Sequence, residues 1–255
     1  MIPETVHEVL ASYPILTAFA LVGGLTWLGY AMADKLFRGR IHGSAIAIVA
    51  GLALAAVGGI ATGGKQGIAD IPAFSGIALL GGAMLRDLAI VSTAFGVRLQ
   101  ELRGGGVMGA ISLVLGLSAS FGVGAAVAWA SGYRDAVSMT TMGAGAATYI
   151  VGPVTGSAIG AGHELIALSV AAGLVKAILV MILTPAVAPA IGLDNPRSAM
   201  IFGGLMGTNS GVLAGLAATD PRLVPYGAMT ATFYTGLGCL LGPSLFFFVI
   251  RSLAG

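Results

Sequence analysis

Two short stretches of this 255-residue chain hold residue types able to bind ions where few such residues are expected. The first is Thr148-Tyr149-Ile150-Val151-Gly152-Pro153-Val154-Thr155-Gly156-Ser157, and the second is Gly207-Thr208-Asn209-Ser210-Gly211. Each lies in the middle of a long apolar run. Proline removes a backbone donor and clashes with the preceding turn, and flanking glycines relax the chain, so both stretches read as broken helices. Unpaired backbone groups at membrane depth cost several kcal/mol each, so such breaks persist only inside protein or beside a wet cavity. A half-helix N-terminus offers free N–H groups and a positive dipole end, worth roughly 0.3–2 kcal/mol to an anion. The residues expected to bind a small anion are therefore Gly152, Pro153, Val154, Thr155, Gly156, Ser157, Thr208, Asn209, Ser210 and Gly211. Unwound carbonyls together with Thr155, Thr208, Asn209 and Ser210 have the oxygen chemistry to hold a hard cation such as sodium. A plainer reading stands beside this one. Pro153 can kink an intact helix while Thr155 and Ser157 bond back to their own carbonyls, and Asn209 can make an interhelical bond worth about 1 kcal/mol. Two interrupted segments in comparable positions favour the site.

Three charges interrupt the apolar runs: Arg86, Asp87 and Lys176. Each costs about 2.5–3.5 kcal/mol at the centre of a membrane helix, so each calls for a partner or a wet cavity. Lys176 stands well inside its run, roughly 16 Å along a helix from the nearer end, too deep to snorkel freely. It either neutralises a bound carboxylate or pairs with Asp87. Arg86 and Asp87 point about 100° apart on a helix, so each is expected to meet a different neighbour rather than the other. Thr140, Thr141, Thr230, Thr232 and Tyr234 have hydroxyls that can line a pathway or bond to their own helix. No HExxH, Walker loop or GxSxG elbow occurs, and His42 and His163 make no metal-ligand pair, so no catalytic residues are expected and the chain does not read as an enzyme.

The elements that must hold these residues follow from composition. The chain is 57% hydrophobic and 9% charged, with 41 glycines and a mean hydropathy of +0.98. A soluble domain carries about 25% charged residues, so neither a soluble enzyme nor a disordered tail fits. A formal charge of +2 with scattered bases also gives no stripe for nucleic acid. The single cysteine, Cys239, excludes an intramolecular disulfide framework. A helix needs roughly 20 apolar residues to cross a bilayer. Eight runs qualify: 9–33, 43–64, 71–97, 104–133, 136–162, 165–193, 198–219 and 223–250. Their connectors are too short for a soluble domain, so residues 1–255 read as one transmembrane transporter domain. The fifth or the seventh run can be re-entrant rather than spanning. The first run lacks a basic flank and is too long for a cleavable signal peptide. Lys35, Arg38, Arg40, Arg98 and Arg103 place two loops in the cytoplasm, with Glu4 and Glu8 outside. The fold class expected is all-α: a polytopic membrane helix bundle of about eight transmembrane segments with two Gly/Pro-broken helices, as in secondary transporters.

Longer strings sharpen this. They include Arg38-Gly39-Arg40-Ile41-His42-Gly43-Ser44, Gly81-Gly82-Ala83-Met84-Leu85-Arg86-Asp87 and the first break itself. Others are Gly192-Leu193-Asp194-Asn195-Pro196-Arg197-Ser198-Ala199-Met200, Gly203-Gly204-Leu205-Met206-Gly207-Thr208 and Ala217-Ala218-Thr219-Asp220-Pro221. With these the chain resembles the MadM subunit of the two-component malonate transporter, from about Leu25 onward. The resemblance implies import of malonate with sodium as coupling ion, no cofactor, a small partner subunit, MadL, and residence in the bacterial inner membrane. A looser similarity to LrgA/LrgB-type proteins implies an inverted-repeat transporter architecture; the alternatives are an LrgB/holin-like pore and a carrier for another short-chain carboxylate or hydroxyacid. Neither resemblance assigns binding residues. For a dicarboxylate, two half-helix N-termini, or one plus Lys176, would match the two ends.

Overall fold

The computed structural model describes residues 9–38, 42–63, 67–80 and 99–254, and every element among them is helical. Arg86 and Asp87 lie outside the described residues, as do most of the third apolar run and the charges Glu4, Glu8, Arg40 and Arg98. The chain divides into two compact units, Met1–Ser92 and Thr93–Gly255. In the first, α1 (Pro14–Phe37) and α2 (Gly43–Thr62) are long and apolar enough to cross a membrane. They pack closely where Gly29 meets the backbone of Gly43 and Ala47. Two 3-10 turns, Gly67–Asp70 and Pro72–Phe74, lead into the short α3 (Gly76–Leu80).

The second unit holds both broken segments. Its elements are α4 (Leu99–Ala130), α5 (Ala136–Ala147), α6 (Val151–Ala158), α7 (His163–Val187), α8 (Pro196–Met206), α9 (Asn209–Thr219), α10 (Val224–Leu241) and α11 (Phe247–Ala254). A π-helical turn, Gly242–Phe246, joins the last two. Residues 106–130, 163–187 and 221–253 are long and apolar enough to span. The fifth and seventh runs are not spans. Each is a pair of short helices that turns back on itself.

Close contacts establish the reversal. A side chain at Gly152 would meet Gly145, and one at Gly156 would meet Thr141, so α6 retraces α5 with the turn between them. Gly227 of α10 touches Ala199 at the start of α8 and Leu216 near the end of α9, so those two ends lie together. Ala188, Leu193, Ala199, Leu216 and Leu223 accordingly share one core cluster. The first hairpin empties into the start of α7, and the second begins at its end, so they enter from opposite ends of a helix about 37 Å long. Their turns meet halfway. Gly173 of α7 packs on Tyr149, and Ala177 packs on Gly211. The eight expected spans therefore become, among the described residues, five spanning helices and two opposed re-entrant hairpins.

A sixty-residue spacing relates the halves. Gly132 and Gly192 both take positive φ, 96° and 63°. Tyr133 N–H donates to Ala128 O, and Leu193 N–H donates to Ala188 O, so α4 and α7 end alike. Asp135 and Asn195 cap α5 and α8, accepting from the N–H of Ser138 and Ser198 at 2.9 and 3.0 Å. Gly143 and Gly203 follow, and Thr148 and Thr208 occupy the two turns in extended conformation. Helix–hairpin contacts keep the register within one residue: Tyr149–Gly173 corresponds to Asn209–Thr232, and Gly156–Ile166 to Leu216–Gly227. This is the inverted repeat the sequence predicts.

Candidate functional site

The two turns differ in what they expose. In the second, α8 ends at Gly207 (φ 69°), Thr208 is extended, and α9 starts at Asn209. The first N–H to close back is that of Val212, onto Thr208 O at 2.8 Å. The N–H groups of Asn209, Ser210 and Gly211 have no intrahelical acceptor, which is the ordinary anion-facing end of a helix. Thr208 is fully buried, and its Oγ1 and the Asn209 Nδ2 have no hydrogen-bond partner. Hydroxyls and amides left unpaired in an interior cost about 1–3 kcal/mol; the hydroxyls of Thr140, Thr148 and Thr155 are likewise buried without a partner, and the second turn is set apart by its unpartnered amide beside open N–H groups.

The first turn is closed by comparison. The break falls at Thr148–Ile150, one turn earlier than the Gly152–Ser157 stretch. Thr148 O accepts from the N–H of Val151 and Gly152, at 3.0 and 3.4 Å, and the next residue, Pro153, has no N–H. Pro153 thus sits in the first turn of α6, where its missing donor costs nothing, and does not break the helix. Gly152 and Gly156 are inter-helix contacts, Val154 and Ser157 face outward, and Thr155 is buried against Gly242. Thr155 and Asn209 touch the last helical stretch at Gly242 and Thr232, ten residues or about 15 Å apart along it. Thr155 therefore stands apart from Thr208, Asn209 and Ser210, which are consecutive residues of the second turn.

Lys176 lies between the turns. Its Nζ donates to Ala147 O, the last carbonyl of α5, at 2.8 Å, and to Ser120 Oγ at 2.9 Å. It also stands 5.3 Å from the centroid of the Tyr234 ring. That ring packs on Gly207, and its hydroxyl donates to Gly116 O at 3.3 Å. Lys176 therefore caps the negative end of α5 and faces the second turn across an aromatic face. No carboxylate is among its described partners. It also borders two apolar recesses between α4, α7 and α8, of about 1090 and 630 Å³. Ser120 and Tyr234 complete this centre. Ser120 carried no signal in the sequence, and Tyr234 stood out only as one hydroxyl among several. Among the described residues no group of three His, Cys, Asp or Glu side chains is placed to hold a metal ion.

Opposed helical hairpins whose turns meet beside an ammonium and an open helix N-terminus, among helices long and apolar enough to cross a membrane, are the architecture of an α-helical membrane transport protein. Comparison of families gives the particular one. Residues 6–254 match the malonate/sodium symporter MadM subunit, and the chain belongs to that family. It is a multi-pass membrane subunit of a malonate/sodium symporter, with sodium as coupling ion and no cofactor. No curated protein and no solved structure matches the chain.

Proposed function

We propose that malonate binds between the two hairpin turns, one carboxylate on Lys176 and the other on the N-terminus of α9, and is imported with sodium across the bacterial inner membrane. The observation that carries this reading is the mid-membrane ammonium of Lys176, whose described partners are all neutral. A bare cation there is costly, and a dianion that arrives between Lys176 and the free N–H groups of Asn209, Ser210 and Gly211 offsets that cost. Asn209 Nδ2 adds a donor on the same side. Malonate has two carboxylates and no apolar body, which suits donors placed at each of its ends. Sodium coupling follows from the membrane potential, which opposes inward movement of each negative charge by about 2.3 kcal/mol per 100 mV.

The family's description of the chain as a subunit supports a partner, which on the resemblance above is the small MadL protein. The apolar recesses beside Lys176 are surfaces such a partner would cover, shielding the ammonium from lipid. The test is uptake of labelled malonate into proteoliposomes holding the chain with or without the small subunit, under an inward sodium gradient. Saturable uptake needing both subunits and sodium, with exchange against unlabelled malonate, is the expected result. Absence of uptake with both subunits inserted would sink the substrate assignment. Non-saturable flux without exchange would instead mark a pore.

A further inference from the structure

We propose that sodium binds at the second hairpin turn, on Thr208 Oγ1, Asn209 Oδ1 and Thr232 Oγ1, in the place that the Lys176 ammonium fills at the first. The sodium coupling of the Proposed function is assumed, and the inference gives it an address.

The repeat carries the first half of the argument. At the first turn a cation is part of the chain, because Lys176 reaches Ala147 O and satisfies the carbonyl end of α5. Sixty residues on, the counterpart of Ala147 is Gly207 and the counterpart of Lys176 is Gly236. Thr235, one residue earlier, is also uncharged and donates its hydroxyl to Ala231 O. Gly236 is exposed, and a side chain built there would meet nothing within 4 Å, so no side chain of α10 supplies a cation at this register. The second turn therefore has the architecture of the first with its cation left out.

The oxygens carry the second half. Thr232 Oγ1 lies 2.9 Å from Ala228 O and 3.4 Å from Asn209 Oδ1. A hydroxyl has one hydrogen, and Ala228 O is the closer acceptor, so Thr232 Oγ1 turns a lone pair toward the Asn209 carbonyl oxygen. Adjacent ligands of a hard cation held at roughly 2.4 Å stand at about this separation. Thr208 Oγ1, fully buried and without a partner, is the third oxygen on the same turn. Asn209 then serves both ions. Its Oδ1 faces sodium, and its unpartnered Nδ2 faces the substrate, so sodium fixes the carboxamide in the orientation that donates to a carboxylate. That is a direct structural form of coupling.

The experiment uses the complex with its partner subunit in nanodiscs and reads melting temperature during a sodium chloride titration, with potassium chloride holding ionic strength constant. Sodium is expected to stabilise the wild type saturably. Thr232→Val, which keeps shape and loses the oxygen, should raise the sodium midpoint about tenfold or more, while malonate still stabilises the protein at saturating sodium. Thr232→Ser should restore the midpoint. A wild-type midpoint in Thr232→Val, or a midpoint moved by Thr155→Val instead, would overturn the assignment. Failure of malonate to stabilise the wild type at saturating sodium would count against the substrate reading alone, because the sodium titration is made without malonate.

Discussion

The two hairpins share caps, glycines and a buried threonine at the turn, yet their turns have opposite electrical characters. The first consumes its own N–H groups, on Thr148 O, and draws a lysine onto its carbonyl end. The second leaves the N–H groups of Asn209, Ser210 and Gly211 open and has no cation of its own. Starting from the same backbone plan, one half carries a fixed positive charge and the other, on our proposal, receives mobile ions. The difference teaches that a helix break at membrane depth is a scaffold and not yet a site. What makes a site is which of the orphan groups are left unsatisfied.

Lys176 is where this contrast breaks most severely. Lys176→Met keeps length and apolar stem but removes the donors to Ala147 O and Ser120 Oγ. Losing a charge-assisted bond to the substrate should cost about 1.5–3 kcal/mol of binding, so malonate affinity should fall roughly 10- to 150-fold, while leaving Ala147 O unpaired lowers the melting temperature. Equilibrium binding of labelled malonate, alongside a melting curve, separates the two parts. Unchanged affinity with a lower melting temperature would make Lys176 a structural cap only.

Turn geometry gives the next largest effect. Gly207 holds φ 69° with the Tyr234 ring against it, whereas the first turn has no positive φ and reverses through extended Thr148. Gly207→Ala adds a methyl in the left-handed region, costing about 1 kcal/mol, and pushes it into the ring at a similar cost, giving about 2 kcal/mol in all. Ala147→Gly, its counterpart, should cost about 1 kcal/mol or less. Thermal or denaturant melting of the two variants side by side measures this asymmetry. Equal losses would mean that the turns are held in the same way.

Much of this was legible in the residues. Composition alone required a helical membrane protein, and the glycines and proline in the fifth run and the polar triplet in the seventh marked both breaks. Lys176 was conspicuous because a charge at mid-span needs a reason. The reversal was not legible. A run of 27 apolar residues at 136–162 reads the same whether it crosses once or goes in and comes back as legs of 12 and 8 residues. The position of the first break was misplaced because proline is a strong breaker inside a helix yet harmless in its first turn, and Pro153 is the third residue of α6. Tyr234 and Ser120 join Lys176 across α10, α4 and α7, a meeting no local pattern encodes. The sixty-residue repeat is faint in sequence because it lies in caps, turn glycines and two threonines, with the apolar positions between them free to vary.

The smallest test concerns the caps, where the hairpins are most alike. Asp135→Ala and Asn195→Ala each remove an acceptor from a helix N-terminus and should each cost about 1 kcal/mol in melting. Their pH dependence should differ. The hydrogen bond from Ser138 holds the Asp135 carboxyl below its ordinary range, whereas Asn195 does not titrate. A carboxyl whose folded pKa is depressed stabilises the fold above its unfolded value, near 3.9, and loses that contribution as pH falls through the folded value. The cost of Asp135→Ala should therefore be largest at neutral pH and shrink below about pH 4, while the cost of Asn195→Ala stays level. Asp135→Asn should keep most of the cap and flatten the profile. A parallel pH response in the two alanine variants would show that Asp135 acts through its shape and not its charge, and would bring the entrances of the two hairpins into the same class.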